Sequence, residues 1–379
     1  MKIVFCSNYF NHHQKPFSDA MRSIIGDGYT FVETEELSEE RKRLGWGIKE
    51  YPSYVVSCDR FRRDPDFVSK IIDEADAVII GSAPNDLITN RIRNGKLVLR
   101  YSERPLKKGL ELWKYPVRWL RLHRNNPRNA NVYMLCASAY TASDYAKFGL
   151  FRNRCYTWGY FPEVKKYDDV EALILAKKQA SLLWCGRMID WKHPEAPIEI
   201  AKRLKADGYN FTMNLIGTGV MEETLRSMIE GAALTDCVQL LGSMAPEQVR
   251  THMEESEIFL FTSDRNEGWG AVLNESMNSA CAVVASKAIG SAPFLVDDGK
   301  NGLIYRDGNL DDLYDRVKWL LDHPTERKTI AQCAYDTMKN DWSAETAARR
   351  LVALCQSLLN DTDGELFENG VCRKILKDS

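Results

Sequence analysis

The chain predicts an α/β protein built from two doubly wound, parallel-sheet domains of the Rossmann type. Three observations carry this. Short apolar runs alternate with longer amphipathic stretches along the whole sequence, which is the pattern of parallel sheets covered by helices. At 379 residues the chain exceeds the usual size of one hydrophobic core. The rhythm also restarts midway, at the apolar run 182–185, after a charged segment at 163–169 that reads as a hinge.

The elements follow in order. In the first half the predicted strands are 2–6, 77–80, 96–100 and 132–136, with helices over 17–25, 67–74 and 139–148. In the second half strands are expected at 182–185, 211–216, 238–241, 258–261 and 282–285. Helical patterns intervene at 194–207, 222–231, 246–254 and 273–280. Helices at 310–323 and 326–339 come next, then an amphipathic one at 343–359. The expected division is an N-terminal domain over 1–163, a C-terminal domain over 164–342 and a tail over 361–379.

Composition narrows the function classes. Apolar content of 44% and charged content of 27% suit packed cores. A net charge of −2 argues against a protein that coats nucleic acid. The ten cysteines are scattered, with no C-x-x-C pair and no zinc-like grouping, as in a reducing cytoplasm. The opening MKIVFCSNYF holds too short an apolar run for a signal peptide. No stretch approaches the roughly 20 apolar residues of a membrane span. The expectation is a cytoplasmic protein, attached at most to the inner membrane face.

The most informative stretch is EGWGAVLNE at 267–275, which follows the strand 258–261 and runs into a helix. A glycine turn at a strand-to-helix junction lets backbone N–H groups approach a ligand, and the helix start adds partial positive charge. Ionised carboxylates only accept hydrogen bonds, so Glu267 and Glu275 suit hydroxyl-rich groups better than phosphate. Glu267 fits a sugar and Glu275 a ribose diol. The bland alternative is two solvated acids at a helix start.

Other loops gather at the same sheet edge. Trp184-Cys185-Gly186-Arg187 and Asp190-Trp191-Lys192 put an arginine and a lysine after a strand, where open α/β sheets bind ligands. Together these cations could replace a divalent metal in stabilising a departing diphosphate. Ile216-Gly217-Thr218-Gly219 and Leu241-Gly242-Ser243-Met244 end two further strands. Their glycines allow close approach to a ligand, or are simply turn glycines.

Taken in order, these elements resemble the nucleotide-sugar domain of family 4 glycosyltransferases, a retaining group with the GT-B fold. The likeness runs from GR…K through IGTG, LG and EGWGAVLNE to DGKNGLIY at 298–305, covering about 180–306. It implies that Gly186, Arg187, Lys192 and Gly217 surround the donor diphosphate, with Ser243 and Met244 near the base. It further implies Glu267 on the donor sugar, Glu275 on ribose, and the amides of Gly268, Trp269, Gly270, Ala271 and Val272 on donor oxygens. Trp269 stands where phenylalanine is common in the family. The resemblance also implies chemistry in a central cleft between two Rossmann-like domains, a final helix over about 343–360 returning to the first domain, and retention of configuration. No metal or separate cofactor is expected; the donor substrate is expected to be a UDP-sugar.

The first half resembles the family less. After the first strand, Asn11, His12, His13 and Gln14 replace a glycine-rich loop and could hydrogen-bond an acceptor. After 96–100 no histidine matches the family's; Glu103 is the polar candidate there, as a partner of the acceptor or leaving sugar or as part of a Glu103–Arg104 surface cluster. The stretch 104–128 interleaves Lys107, Lys108, Lys114, Arg118, Arg121 and Arg124 with Trp113, Tyr115, Trp119 and Leu120. It suits an anionic membrane surface or a lipid-diphosphate acceptor, or a solvated helix whose aromatics pack inward.

The predicted activity is sugar transfer from a nucleotide diphosphate sugar to a hydroxyl of a carbohydrate or lipid-linked acceptor, with Glu267, Arg187, Lys192 and Glu103 as catalytic candidates. The alternatives are a sugar-nucleotide hydrolase or epimerase, and a sugar-nucleotide-binding partner subunit. A dinucleotide oxidoreductase fits less well, since no GxGxxG follows the first strand.

Overall fold

Seven strands form the first sheet: β1 (Ile3–Ser7), β2 (Tyr29–Glu33), β3 (Val55–Val56), β4 (Ala77–Ile80), β5 (Leu97–Ser102), β6 (Val132–Cys136) and β7 (Cys155–Thr157). Six form the second: β8 (Lys178–Cys185), β9 (Thr212–Ile216), β10 (Val238–Leu240), β11 (Ser256–Phe261), β12 (Ala282–Ser286) and β13 (Leu303–Tyr305). These come from a computed structural model that describes residues 1–38, 47–48, 50–128, 130–362 and 365–376. The first sheet has the order β3-β2-β1-β4-β5-β6-β7 and the second β10-β9-β8-β11-β12-β13. All the pairings in both are parallel. The order reverses beside β1 in one sheet and beside β8 in the other, so each sheet is doubly wound, as its alternating pattern predicts.

The strands are continuous apolar runs because helices cover both faces of each sheet. Ile3–Ser7, Ala77–Ile80 and Ala282–Ser286 are buried throughout. Strands β2, β3, β7 and β13 were not expected from the sequence. Each is short or interrupted by polar residues such as Thr30 and Glu33, so its pairing depends on neighbours.

Contacts divide the chain into two units, Met1–Glu163 with Trp342–Ser379, and Val164–Asp341. The Ala344–Leu359 helix lies in the first unit and packs on the Lys15–Ile25 helix. The segment after it has little pattern in sequence, yet Val371 and Cys372 are fully buried. Cys372 N–H donates to the Thr157 carbonyl at 2.8 Å and Ile375 N–H to that of Cys155 at 2.8 Å. An antiparallel bridge pairs Tyr156 with Lys374. These bonds cover the outer edge of β7, which would otherwise present unpaired backbone groups.

Each unit also buries one cation among backbone carbonyls. Arg91, fully buried, donates to Ile72 O and Ala75 O (2.7 Å each), Asp76 O (3.1 Å) and Leu97 O (2.9 Å). It thereby closes the end of the Pro65–Glu74 helix onto the start of β5. Lys177 plays the same part in the other unit, donating to Met253 O, Ser256 O and Ser279 O (2.9 Å each) and Glu254 O (3.1 Å). Carbonyls at a helix end need such donors when water is excluded. Burial pulls both pKa values below their ordinary range. Replacing Arg91 by Met strips four carbonyls of their donor, so urea denaturation is expected to show a loss of at least about 3 kcal/mol. A loss below about 1 kcal/mol would mean that water takes over the arginine's role.

Candidate functional site

The site grows from the pairing of β8 with β11, which sets Leu182 beside Ile258 and Trp184 beside Leu260. Both strands end at the same edge, at the reversal of strand order. Beyond β8, the chain turns through Gly186 and Arg187 to a short 3-10 turn at Asp190–Lys192. Beyond β11, Thr262 and Ser263 lead to Glu267. Thr262 stitches the two together: its hydroxyl accepts from the buried Trp184 indole at 2.9 Å and lies 2.8 and 3.0 Å from the Lys192 and His193 carbonyls. Asp264 N–H adds a bond to Trp191 O at 2.9 Å. Neither Thr262 nor Ser263 was singled out from the sequence; hydroxyl residues after a buried strand were the available signal.

This arrangement brings Lys192 against Glu267, with Nζ 2.5 Å from Oε2. Both side chains are largely buried, at 13% and 12% exposure. The Ser263 hydroxyl donates to the same oxygen at 2.9 Å. Oε1 of Glu267 and further N–H groups of Lys192 are left for a ligand. The guanidinium of Arg187 is exposed and, among the described residues, has no hydrogen bond or ion pair. It lies 5.9 Å from the Trp191 ring, and Lys192 Nζ lies 4.9 Å from the same ring. Two cations thus lie near one indole, and one of them is paired with a carboxylate.

Gly186 gives Lys192 its room, since a Cβ there would sit 3.2 Å from the lysine Cδ and 3.3 Å from Trp184. Gly270 lets the turn fold back. Its φ is +84°, and a Cβ would fall 2.3 Å from the Phe261 ring and 3.2 Å from Glu267 Cγ. The glycine loop therefore curls Glu267 back toward the strand end, instead of leaving it along a helix axis.

Glu275 lies further on, in the Val272–Asn278 helix, half-buried. Loss of water pushes its carboxyl above the ordinary range, while Arg250 pulls the other way. Arg250 itself binds Glu275 O (3.1 Å), Asn278 Oδ1 (2.9 Å) and Ser279 Oγ (3.1 Å), closing that helix's end. Cys185, at the end of β8, is pushed up to about 12 by burial and by Glu275, with Lys192 opposing. Glu275 and Lys192 therefore both act on the same sulfur.

The other expected site residues take up varied positions. Trp269 is fully buried, and its indole N–H donates to Asn274 Oδ1 at 2.9 Å, so its side chain is core and only its backbone amide is left for the expected donor contact. The helix after the turn has only seven residues, and Leu273 N–H is bonded to Gly270 O. The expected donor contacts of Gly268, Ala271 and Val272 are thus contacts of individual amides at the start of this short helix. Gly217 serves loop packing: with φ at +133°, a Cβ would meet Gly186 O at 1.8 Å, and its N–H bonds Gly242 O at 2.8 Å. The glycine is needed whether or not a ligand approaches. Ser243 is exposed and Met244 half-buried on the loop after β10.

In the N-terminal unit, Asn11 is buried, and its Oδ1 accepts the N–H groups of His13 (2.9 Å) and Gln14 (3.2 Å), so it shapes the loop. The His12 and His13 rings lie 3.9 Å apart. Burial, then His12, pulls His13 down to about 3, keeping that ring neutral. The loop is held from below by Glu33, a buried carboxylate missed in the sequence. It accepts from Phe10 N–H (2.9 Å), Cys58 N–H (3.2 Å) and the Tyr51 hydroxyl (3.0 Å). Glu103 is bonded to Lys107 (2.6 Å) and the Tyr160 hydroxyl (2.5 Å). Arg104 turns inward to Asp144 at 3.4 Å, so the two do not form a surface cluster.

Residues 166–337 match the family described as Glycosyl transferases group 1. WcaL of Salmonella typhimurium, named for colanic acid biosynthesis, is 27% identical over 180 residues, or 46% of this chain and 44% of that protein. The amylovoran biosynthesis glycosyltransferase AmsK of Erwinia amylovora is 26% identical over 182 residues, covering 47% and 44%. The chain spans less than half the length of these curated relatives. Among solved structures, Anabaena Alr3699/HepE in complex with UDP aligns with a TM-score of 0.66 over 94% of this chain and 100% of that one, at 15% identity. TarM aligns with a TM-score of 0.66 over 95% and 98%, at 11% identity. The likeness to both is one of fold, the GT-B class with two Rossmann-like domains.

The raised pKa of Glu275 has a consequence for stability. A carboxyl that binds its proton more tightly when folded supports the fold below its unfolded pKa, and that support is lost as pH rises through the folded value. Glu275→Gln is therefore expected to melt higher than the wild type at pH 8 and equally at pH 4. Equal melting at both would mean that Arg250 cancels the burial term.

Proposed function

Because residues 166–337 form a glycosyl transferases group 1 domain, we propose that the chain transfers a sugar from a nucleotide diphosphate sugar to an acceptor hydroxyl. The observation that carries this reading is the Lys192–Glu267 pair beside the unpaired Arg187. A diphosphate laid against Arg187 and the remaining N–H groups of Lys192 would place the attached sugar at Glu267 Oε1 and the ribose toward Glu275.

In the reaction the bond from the anomeric carbon to the diphosphate oxygen breaks, and a bond to the acceptor oxygen forms. The acceptor proton passes to the departing diphosphate. Negative charge grows on that diphosphate, and two preorganised cations meet it where little water competes. The Glu267 carboxylate holds Lys192 in place beforehand, which avoids reorganisation at the moment of reaction. Such an arrangement needs no divalent ion. Retention of configuration follows from the family resemblance, and a uridine base is supported by the UDP in the HepE structure. The acceptor is a saccharide or a lipid-linked saccharide, with His12, His13, Gln14 and Glu103 on its side.

The Tyr115–Asn125 helix supports peripheral contact with a membrane face. No helix among the described residues is long and apolar enough to cross a membrane. Leu112, Trp113, Val117 and Leu120 are 65–77% exposed, and Lys114, Arg118 and Arg121 lie among them. Its inner side is fixed by Tyr115, stacked on Phe148 at 5.2 Å, and by His123, 2.8 Å from Phe148 O. Apolar side chains with basic neighbours suit an anionic lipid surface.

Three kinds of measurement test these readings: variant turnover with stability, nucleotide release and vesicle flotation. Arg187→Ala should lower turnover about a hundredfold, consistent with loss of a charged contact made in the transition state, with an unchanged melting temperature because the side chain is exposed and unpaired. Lys192→Ala and Glu267→Ala should lower turnover and also stability, by about 3 kcal/mol, since each leaves a buried charge alone. Nucleotide diphosphate release independent of any acceptor would point to a hydrolase, and donor binding without release to a partner subunit. In vesicle flotation at low salt, the protein should rise with anionic lipids, and Trp113→Ser with Leu120→Ser should abolish this; a protein that stays at the bottom of the gradient argues against membrane contact.

A further inference from the structure

A cavity of about 410 Å³ opens in the N-terminal unit, far along the chain from the loops so far described. Its walls come from the end of the Tyr115–Asn125 helix, the start of β6 and the turn leading into β7. These lie at the N-terminal edge of the sheet, whereas the loop after β1 and Glu103 lie at the opposite, C-terminal edge. Asn126, Arg128, Gly149, Phe151, Arg152 and Arg154 supply the lining used here.

Among the described residues, three arginines and no acidic residue line this cavity. Like charges gathered at one mouth repel each other unless something neutralises them. Arg128 and Arg152 have neither a hydrogen bond nor an ion pair among the described residues. Arg154 gives one N–H to Ala130 O at 2.5 Å and lies 5.6 Å from the Tyr133 ring. Most of the guanidinium donors are thus uncommitted, and each guanidinium offers a planar fork suited to phosphate oxygens.

The backbone is arranged around them. Gly149, with φ at +71°, would bring a Cβ to 3.1 Å from Arg128 Nη2, so the glycine lets that arginine lie on the turn. Phe151 and Asn153 also hold positive φ, 55° and 56°. Conformations of this kind are uncommon for such residues and persist where surrounding structure fixes them.

One wall carries a second, independent mark. Asn126 is 7% exposed, and its amide N–H donates to Leu122 O at 2.9 Å, which fixes the direction of the side chain. Its Oδ1 is buried and, among the described residues, has no donor. Buried acceptors are nearly always paired, so this oxygen calls for a hydrogen-bond donor from a water or a ligand group held in the cavity.

We propose that this cavity binds a phosphate group carrying a neighbouring hydroxyl. The three guanidinium groups meet the phosphate oxygens, and the hydroxyl, directly or through a water, supplies the donor that Asn126 lacks. The volume admits a phosphate with a glycerol-sized substituent. That chemistry is offered both by a soluble phosphate ester and by a phospholipid headgroup. The proposal does not rest on the sugar-transfer reading, because none of these residues belongs to the donor site.

The test is titration calorimetry of the full chain with inorganic phosphate and with glycerol 3-phosphate, beside binding to phosphatidylcholine vesicles with and without phosphatidic acid. Wild type is compared with Arg128→Ala/Arg152→Ala, both exposed side chains, and with Arg154→Lys, which keeps the charge and loses the fork. Any anion binding at Arg187 and Lys192 is common to all three proteins, so the difference reports the cavity alone. The double variant should bind at least about tenfold more weakly, the loss expected for charged hydrogen bonds, with an unchanged melting temperature. Arg154→Lys should be intermediate. A difference seen with glycerol 3-phosphate identifies a soluble ester; one seen only with phosphatidic acid vesicles identifies a lipid headgroup. Equal binding by wild type and the double variant, or no binding of any of these probes, would overturn the proposal.

Discussion

The pairing of β8 with β11 is the constraint on which the candidate site depends. Two strands far apart in sequence become neighbours because the order of the sheet reverses between them. Their ends then release two loops at one edge, and Thr262 ties the loops through the Trp184 indole and the Lys192 and His193 carbonyls. Without that register, Lys192 and Glu267 would be two charged residues 75 positions apart. With it, they form a largely buried pair.

Charge is handled by the same rule throughout the molecule. Arg91 and Lys177 are buried, and each is surrounded by backbone carbonyls that accept from it. They act as caps for helix ends inside their units. Lys192 and Glu267 neutralise each other but keep unused hydrogen-bonding capacity toward solvent. Arg187, Arg128 and Arg152 lack such compensation, and they stand where the surface is concave or where loops converge. The distinction between a structural and a ligand-facing cation therefore lies in whether its donors are already filled.

Glu275 shows the opposing demands on such a site. Its carboxyl is half-buried and held above its ordinary pKa, a cost to the fold at neutral pH that Arg250 only partly offsets. A carboxylate kept in such surroundings is useful where a ribose diol must be bound away from competing water. Trp269 and Gly270 serve the same turn from the other side, one by filling the core beneath it and the other by letting it fold back.

Much of this was legible in the sequence, and the reasons are specific. The apolar runs at 77–80 and 132–136 can only be strands buried on both faces, and glycines after strands mark turns that no other residue would tolerate. That determined the fold class, most of the central strands and the pairing candidates Lys192 and Glu267, though not Ser263. The sequence could not reveal that β2, β7 and β13 pair, because strands of three to five residues carry too little pattern of their own. Nor could it show that Gly217 is required by the Gly186 carbonyl, that Trp269 points inward, or that Val371 and Cys372 close the edge of β7. Those outcomes depend on contacts between segments remote in the chain, which only the packed tertiary structure brings together.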